Sequence, residues 1–145
     1  MKSLLVHEIM ARHPPSIRLG TGLAEVVEIL LGHHLTGLPV IDDGEHVVGF
    51  VSEQDCLRAL LISSYHAEGA PKVQDVMHAG PLTVNADDAV VDIAELMLRQ
   101  KPKIYPVLDG DRRLVGMLVR SQVLKAVKDH RSRPAHPGSH AVASR

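Results

Sequence analysis

The sequence predicts an α+β fold: two copies of one βαββα unit, packed sheet to sheet. Three observations predict it. The chain repeats itself without a gap at an offset of 67 residues. Each copy alternates short aliphatic runs with amphipathic stretches of helical period. Each copy is also too small to bury much surface alone, so the two must share their stability.

The offset carries Val6-His7-Glu8-Ile9-Met10 onto Val73-Gln74-Asp75-Val76-Met77. It carries Leu38-Pro39-Val40-Ile41-Asp42 onto Tyr105-Pro106-Val107-Leu108-Asp109, and Val47-Val48-Gly49-Phe50-Val51 onto Leu114-Val115-Gly116-Met117-Leu118. Residues 6–61 and 73–128 share 12 identities in 56 positions, too few alone, but in one register and with one apolar pattern.

Each copy opens with a short helical lead-in. A proline-containing loop (Pro14, Pro81) leads to an extended piece around Ile17 and Val84. An amphipathic helix is predicted over 21–34 and 88–101, with Leu23, Val26, Val27, Leu30 and Leu31 on one face. Thr21 and either Asp87 or Asp88 are expected as N-caps. Strands follow at 38–41 and 104–108, then turns of Asp42-Asp43-Gly44 and Asp109-Gly110-Asp111. Second strands at 46–51 and 113–119 complete hairpins, and second helices run over 53–64 and 120–130. This divides the chain into repeat 1 (1–64), a linker (65–72) with Gly69 and Pro71 as breakers, repeat 2 (73–130), and a flexible tail (131–145).

Composition narrows the function. Lys and Arg number 16 against 17 Asp and Glu, so the basic excess that phosphate neutralisation needs is missing and nucleic acid is not expected as a partner. Phe50, Tyr65 and Tyr105 are the only aromatic residues, too few for a base-stacking platform. Cys56 is the single cysteine, which leaves no intrachain disulfide and no cysteine zinc site. No apolar run approaches the roughly 18 residues of a membrane span, and Met1–Glu8 lacks a signal-peptide stretch. A soluble, cytoplasmic protein without membrane partners is expected.

Chemistry concentrates at Gly49-Phe50-Val51-Ser52-Glu53-Gln54-Asp55, where a strand runs into a helix. Backbone N–H groups and the helix dipole at such a junction suit an anion. Asp55, one turn in, has two acceptor oxygens and can bind both hydroxyls of a ribose; Ser52 adds a hydroxyl, and Phe50 could wall an adenine. The same Ser-x-x-Asp spacing is also a capping-box pattern, which would stabilise the helix and bind nothing. On the local sequence the cap is the commoner use, and the two roles can coexist.

The Asp/Glu-hydrophobic-Met opening, the Leu-Pro-Val-Ile-Asp strand and the Gly-hydrophobic-Val-Ser-x-x-Asp junction resemble the cystathionine β-synthase (CBS) domain, two copies of which form a Bateman module. The resemblance spans 6–128. It implies a disc with pseudo-twofold symmetry and two clefts between the repeats. It implies a non-catalytic regulator whose ligand is an adenosine nucleotide (AMP, ADP or ATP) or S-adenosylmethionine. It also implies a homodimer of discs and, with no enzyme fused in this sequence, a separate regulated partner protein. A ligand-free dimerisation or docking module is the alternative. Asp55 matches the family's ribose-binding aspartate and Ser52 its neighbouring Ser/Thr, which favours the ligand role over the cap.

By the same resemblance the cleft is completed by 78–83, including Leu82 and Thr83, and by Pro102-Lys103-Ile104-Tyr105, with Thr36 and Gly37 approaching from repeat 1. Lys103, and less so Lys101, could meet a phosphate as a point charge; a solvated helix end is the commoner reading of both. Tyr105 is expected mainly to pack. Repeat 2 departs from the pattern: Val119 stands at the Ser52 position and Gln122 at the Asp55 position, so one good site is expected, not two. No catalytic motif is present. The ten histidines form no ligand-spaced set, so no metal is expected. Cys56 is expected to be buried, and Arg112-Arg113 to be a solvated turn.

Overall fold

The computed structural model describes residues 4–62, 69–100 and 102–132. Half of the expected linker (65–68) and most of the expected tail (133–145) lie outside these residues. Repeat 1 contains α1 (Val6–Ile9), β1 (Ala11–Arg12), β2 (Ile17–Arg18), α2 (Leu23–His33), β3 (Gly37–Ile41), β4 (Val47–Ser52) and α3 (Glu53–Ile62). Repeat 2 contains α4 (Val73–Val76), β5 (Val84–Asn85), α5 (Val90–Met97), β6 (Ile104–Leu108), β7 (Leu114–Val119) and α6 (Arg120–Ser132). The fold is the predicted α+β pair. One sheet has the order β2-β3-β4 and the other β1-β7-β6-β5.

The sheets follow from their sequences. β3 is buried along its whole length, as a continuous aliphatic run requires when both faces are covered. It tolerates Pro39 because β2 pairs only with Val40 and Ile41, leaving the proline on an unpaired edge; β5 and Pro106 repeat the arrangement. Both hairpins turn on an aspartate. Asp42 Oδ1 accepts from the N–H groups of Gly44 and His46 (2.9 Å each), and Asp109 Oδ1 from those of Asp111 (2.8 Å) and Arg113 (2.9 Å). These donors, His46 N–H and Arg113 N–H foremost, hold both carboxyl groups below their ordinary pKa. Glu45 and Arg112, at matching positions, take φ of 68° and 66°.

The lead-ins exchange partners. Val6 and Met10, at the start of repeat 1, belong to the core of repeat 2 with Tyr105, Val107 and Leu118. Val73 of repeat 2 belongs to the core of repeat 1 with Ile17, Leu38 and Val51. β1 pairs with β7 through Ala11–Met117 and Arg12–Gly116, and His78 makes the matching bridge to Phe50 on β4. Two glycines allow the crossings. A side chain on Gly116 would meet the Met10 sulfur, and one on Gly49 the Met77 sulfur. Met117 from β7 completes the repeat-1 core, with Ile104 and Val119 packed beside it, which is where the sheets meet.

The exchange also corrects the expected caps. Neither Thr21 nor Asp87 or Asp88 caps a helix: the N-cap positions are Gly22 and Ala89, without side-chain bonds. The first N–H of α2, on Leu23, donates instead to Pro71 O (2.9 Å), and that of α5, on Val90, to Leu4 O (2.8 Å). Backbone carbonyls of the exchanged segments satisfy the helix starts, so no side chain is needed. Thr21 Oγ1 turns back to Arg18 O, and Asp88 accepts from Asn85 N–H. α6 reaches Ser132, beyond the predicted end at 130, while α5 stops at Met97, short of the predicted 101.

Candidate functional site

α3 begins directly at the end of β4, so Ser52 closes the strand and caps the helix. Ser52 N–H donates to Asp55 Oδ2 (2.9 Å) and Asp55 N–H to Ser52 Oγ (3.1 Å), a complete capping box. The cap is therefore real. The helix start is also less free than the sequence suggested: Glu53 N–H donates to Thr36 O (2.9 Å), and Asp55 N–H is spent on the serine. An anion here must rely more on side chains than on these two amides.

A cavity of about 310 Å3 opens beside this junction. Thr36, Phe50, Ser52, Glu53 and Gln54 line it from repeat 1, and Pro102, Lys103 and Ile104 from repeat 2. Five of the predicted site residues thus come together: Thr36, Phe50, Ser52, Lys103 and Ile104. Gly37 lies beneath the Phe50 ring, where a Cβ would approach the ring carbons and the Val51 carbonyl (3.1 Å).

The remaining predicted residues stand elsewhere. Tyr105 is fully buried in the repeat-2 core and does not line this cavity; burial pushes its phenol pKa up. It takes the place of Leu38, equally buried in repeat 1, so the core simply accommodates a larger side chain. Leu82 (exposed) and Thr83 (half-buried) lie on the loop before β5 and do not line the cavity. Lys101 lies outside the described residues.

Asp55 sits next to the cavity but is not among its lining residues. Its side chain is 13% exposed, with Arg58 Nη1 3.3 Å from Oδ1 and His78 Nδ1 3.4 Å from Oδ2. His78 is brought there by the exchanged lead-in of repeat 2. Its backbone is bonded in both directions to Phe50 (2.9 and 3.0 Å), and its ring lies 6.0 Å from the Phe50 ring, tilted by 48°. The sequence reading missed Glu53, Gln54 and Arg58. The first two directly follow Ser52 and could have been found from the junction itself; Arg58 is one helical turn beyond Asp55.

Repeat 2 keeps the scaffold of this junction and loses its chemistry. Val119 N–H donates to Gln122 Oε1 (2.7 Å), so a neutral amide reproduces half of the cap. Ala11 takes the place of His78, and Lys125, at the Arg58 position, pairs with Asp129 (2.7 Å). Among the described residues no group of three His, Cys, Asp or Glu is gathered as a metal site requires.

Cys56 is buried, and its thiol pKa is raised by burial first and then by the charges of Asp55 and Glu53. The neutral thiol therefore dominates at pH 7. Labelling by a thiolate-seeking reagent is expected to be roughly ten-fold slower than for an exposed cysteine, and to reach the exposed rate only in denaturant. Equal rates in both conditions would contradict the burial.

Paired βαββα repeats with exchanged lead-ins and a cavity lined by both define a tandem-repeat α+β module. The family model described as CBS domain matches residues 6–62 and 73–129, and the chain belongs to that family. It is 30% identical over 135 residues to the chloroplastic CBS domain-containing protein CBSX2 of Arabidopsis thaliana, spanning 76% of this chain and 57% of that protein. It is 25% identical over 119 residues to the L-aspartate semialdehyde sulfurtransferase of Methanocaldococcus jannaschii, spanning 82% of this chain but only 22% of that one. The chain thus matches less than two thirds of either relative's length. Its structure superposes on that of CBSX2 in complex with AMP with a TM-score of 0.76 and 31% identity, covering 88% of this chain and 98% of the other. It shares its fold, at 22% identity, with the CBS domain pair of MJ0100 solved with 5'-methylthioadenosine and S-adenosyl-L-methionine (TM-score 0.73). No helix among the described residues is long and apolar enough to cross a membrane.

Proposed function

We propose that the chain is a non-catalytic regulatory module of the cytoplasm that senses an adenosine-containing ligand, AMP, ADP, ATP or S-adenosylmethionine, and passes the signal to a separate protein partner. The observation that carries this reading is the cavity walled by both repeats beside Ser52 and Asp55. Phe50 and Ile104 offer an apolar slot for a base. Ser52 offers a hydroxyl, and Asp55 a carboxylate suited to vicinal hydroxyls. Lys103 on the cavity wall and Arg58 flanking Asp55 carry positive charge toward a phosphate, and the His78 ring adds a hydrogen-bonding nitrogen beside Asp55. A ribose reaching Asp55 takes over an acceptor now facing His78 or Arg58. The binding of AMP by CBSX2, 31% identical over nearly the whole module, supports the choice of ligand class.

Signalling follows from the geometry. The walls come from two units, so a ligand bridging them favours one relative arrangement over others. A copy-to-copy contact or a partner's affinity can then respond to that shift.

The test is a thermal-shift panel of AMP, ADP, ATP, S-adenosylmethionine and adenosine. A ligand at 100 times its Kd adds about 2.7 kcal/mol, which at this chain length raises the Tm by roughly 5–10 °C. No shift with any of the five would overturn the reading. It would favour the ligand-free docking module, for which the engagement of Asp55 in its own cap and ion pairs is the supporting observation.

A further inference from the structure

We propose that His78 gates the cleft by pH: once protonated, its ring holds the Asp55 carboxylate against the ribose, so the cleft releases its ligand as the pH falls. This gating rests on the nucleotide reading and deepens it, since it names a regulation of the same site. The segment after α4 fixes where the ring stands. His78 N–H donates to Phe50 O (3.0 Å), and His78 O accepts from Phe50 N–H (2.9 Å). The His78 side chain is 58% exposed and can exchange its proton with solvent. That of Asp55 is 13% exposed, so it must find most of its partners within the protein or the ligand.

The gate follows from the acceptors of Asp55. An ionised carboxylate has about four acceptor sites. Asp55 Oδ2 accepts Ser52 N–H at 2.9 Å, and Oδ1 lies 3.3 Å from Arg58 Nη1. About two sites remain, as many as the two vicinal hydroxyls of a ribose require. His78 Nδ1 stands 3.4 Å from Oδ2 and decides whether both are free. A neutral imidazole has one N–H and can keep it on Nε2, which leaves Nδ1 to accept from a hydroxyl. A protonated ring has an N–H on each nitrogen, so Nδ1 must donate to the carboxylate. The charged ring thus takes one of the two sites and holds it by charge as well as by hydrogen bonding. Imidazoles change charge between about pH 5 and 8, where carboxylates stay ionised.

The other charges on the elements around the ring stay constant over that range. β4 carries no titratable side chain. α3 carries Glu53, Asp55 and Arg58: Glu53 lines the cavity, and Arg58 sits on the opposite oxygen of Asp55. On the lead-in itself, Asp75 accepts Lys72 N–H at 2.9 Å. Through the 67-residue offset His78 maps onto Ala11 and Asp55 onto Gln122. Ring and carboxylate therefore stand together in one cleft, and both are replaced in the other.

The test is isothermal titration with adenosine, which has no phosphate and keeps its charge, at about pH 8 and about pH 5.5. The parent should bind about five-fold more weakly at the lower pH, the scale of a half-exposed ion pair. His78→Gln keeps a donor and an acceptor but does not titrate, and its two affinities should agree within about two-fold. A parent whose affinity does not fall, or a His78→Gln variant that falls with it, would overturn the proposal. So would AMP binding that tightens on acidification in the parent and not in the variant, because the ring would then serve the phosphate. The gate is also read without ligand. A histidine that gains an anionic partner adds stability at low pH and loses it as the pH rises. Melts of Asp55→Asn, His78→Gln and the double variant should therefore be non-additive by about 2 °C at about pH 5.5 and additive at about pH 8. Additivity at both would overturn the gate. Non-additivity at the lower pH, with neither adenosine nor AMP bound at either, would uphold the acid-made pair and sink the nucleotide reading instead.

Discussion

Replacing Asp55 by asparagine is expected to weaken adenosine-ligand binding by ten- to a hundred-fold while leaving the unliganded Tm within about 2 °C of the parent. The first half follows from charge: hydrogen bonds to an ionised carboxylate contribute about 1.5–3 kcal/mol, and asparagine removes that charge from the ribose contact. The second half follows from repeat 2, where the neutral Gln122 already accepts the N–H of Val119 at 2.7 Å in the same cap. Asparagine can accept from Ser52 N–H in the same manner, and the exposed half of the Arg58 and His78 pairs adds little to stability. Asp55→Ala, by contrast, removes cap and carboxylate together and should also lose about 1 kcal/mol of stability. Gln122→Ala should show the stability loss without the binding loss. Isothermal titration and thermal melts on these three variants separate the two roles of one side chain. A Asp55→Asn variant that binds like the parent would reduce the carboxylate to a cap and sink the ribose assignment.

That double role explains how far the site could be read in advance. The Ser-x-x-Asp spacing is the same whether its job is to cap α3 or to hold a sugar, and the structure shows the cap fully made. What the pattern could not reveal is that Asp55 faces His78, because that contact depends on the exchange of lead-ins. α1 and α4 are four residues each, too short for a period to say which core they join. Their docking is set by Val6 and Val73, fully buried in the opposite repeats, and ordinary valines in the sequence. Tyr105 was more legible: its offset partner is Leu38, an all-apolar strand position, and the core placement of both follows from that match. The repeat, the hairpin aspartates and the element order within each unit were legible for the same reason. They are stated twice, at one offset, in residues whose roles are local. The sheet-crossing β1 was not, since two residues, Ala11 and Arg12, gain strand form only from pairing with β7.

The exchange makes a second large prediction. Gly49→Val should destabilise the fold by about 3 kcal/mol or more, because the branched side chain must displace the Met77 sulfur and press on the His78 carbonyl, which would lie 3.1 Å from the new Cβ. Methionine can bend away; the carbonyl cannot, since it accepts the Phe50 N–H that anchors the lead-in. Gly116→Val meets the same obstacle in Met10 and the Ala11 carbonyl (3.0 Å) and should cost a similar amount in urea unfolding. Gly32→Ala, inside α2 with nothing within 4 Å of its Cβ, should instead be neutral or stabilising by up to about 1 kcal/mol. The two valine variants part company over the ligand. The Gly49 crossing delivers His78 to Asp55 and to the Phe50 ring on the cleft wall, whereas the Gly116 crossing delivers Ala11 to Met117 on β7. Measured at a temperature where both remain folded, Gly49→Val should therefore lose ligand affinity and Gly116→Val should retain it. Equal losses would mean that the cleft depends on the stability of the whole module. A loss confined to Gly49→Val would place the binding chemistry at the crossing of the repeat-2 lead-in over β4, where a segment of one repeat completes the site of the other.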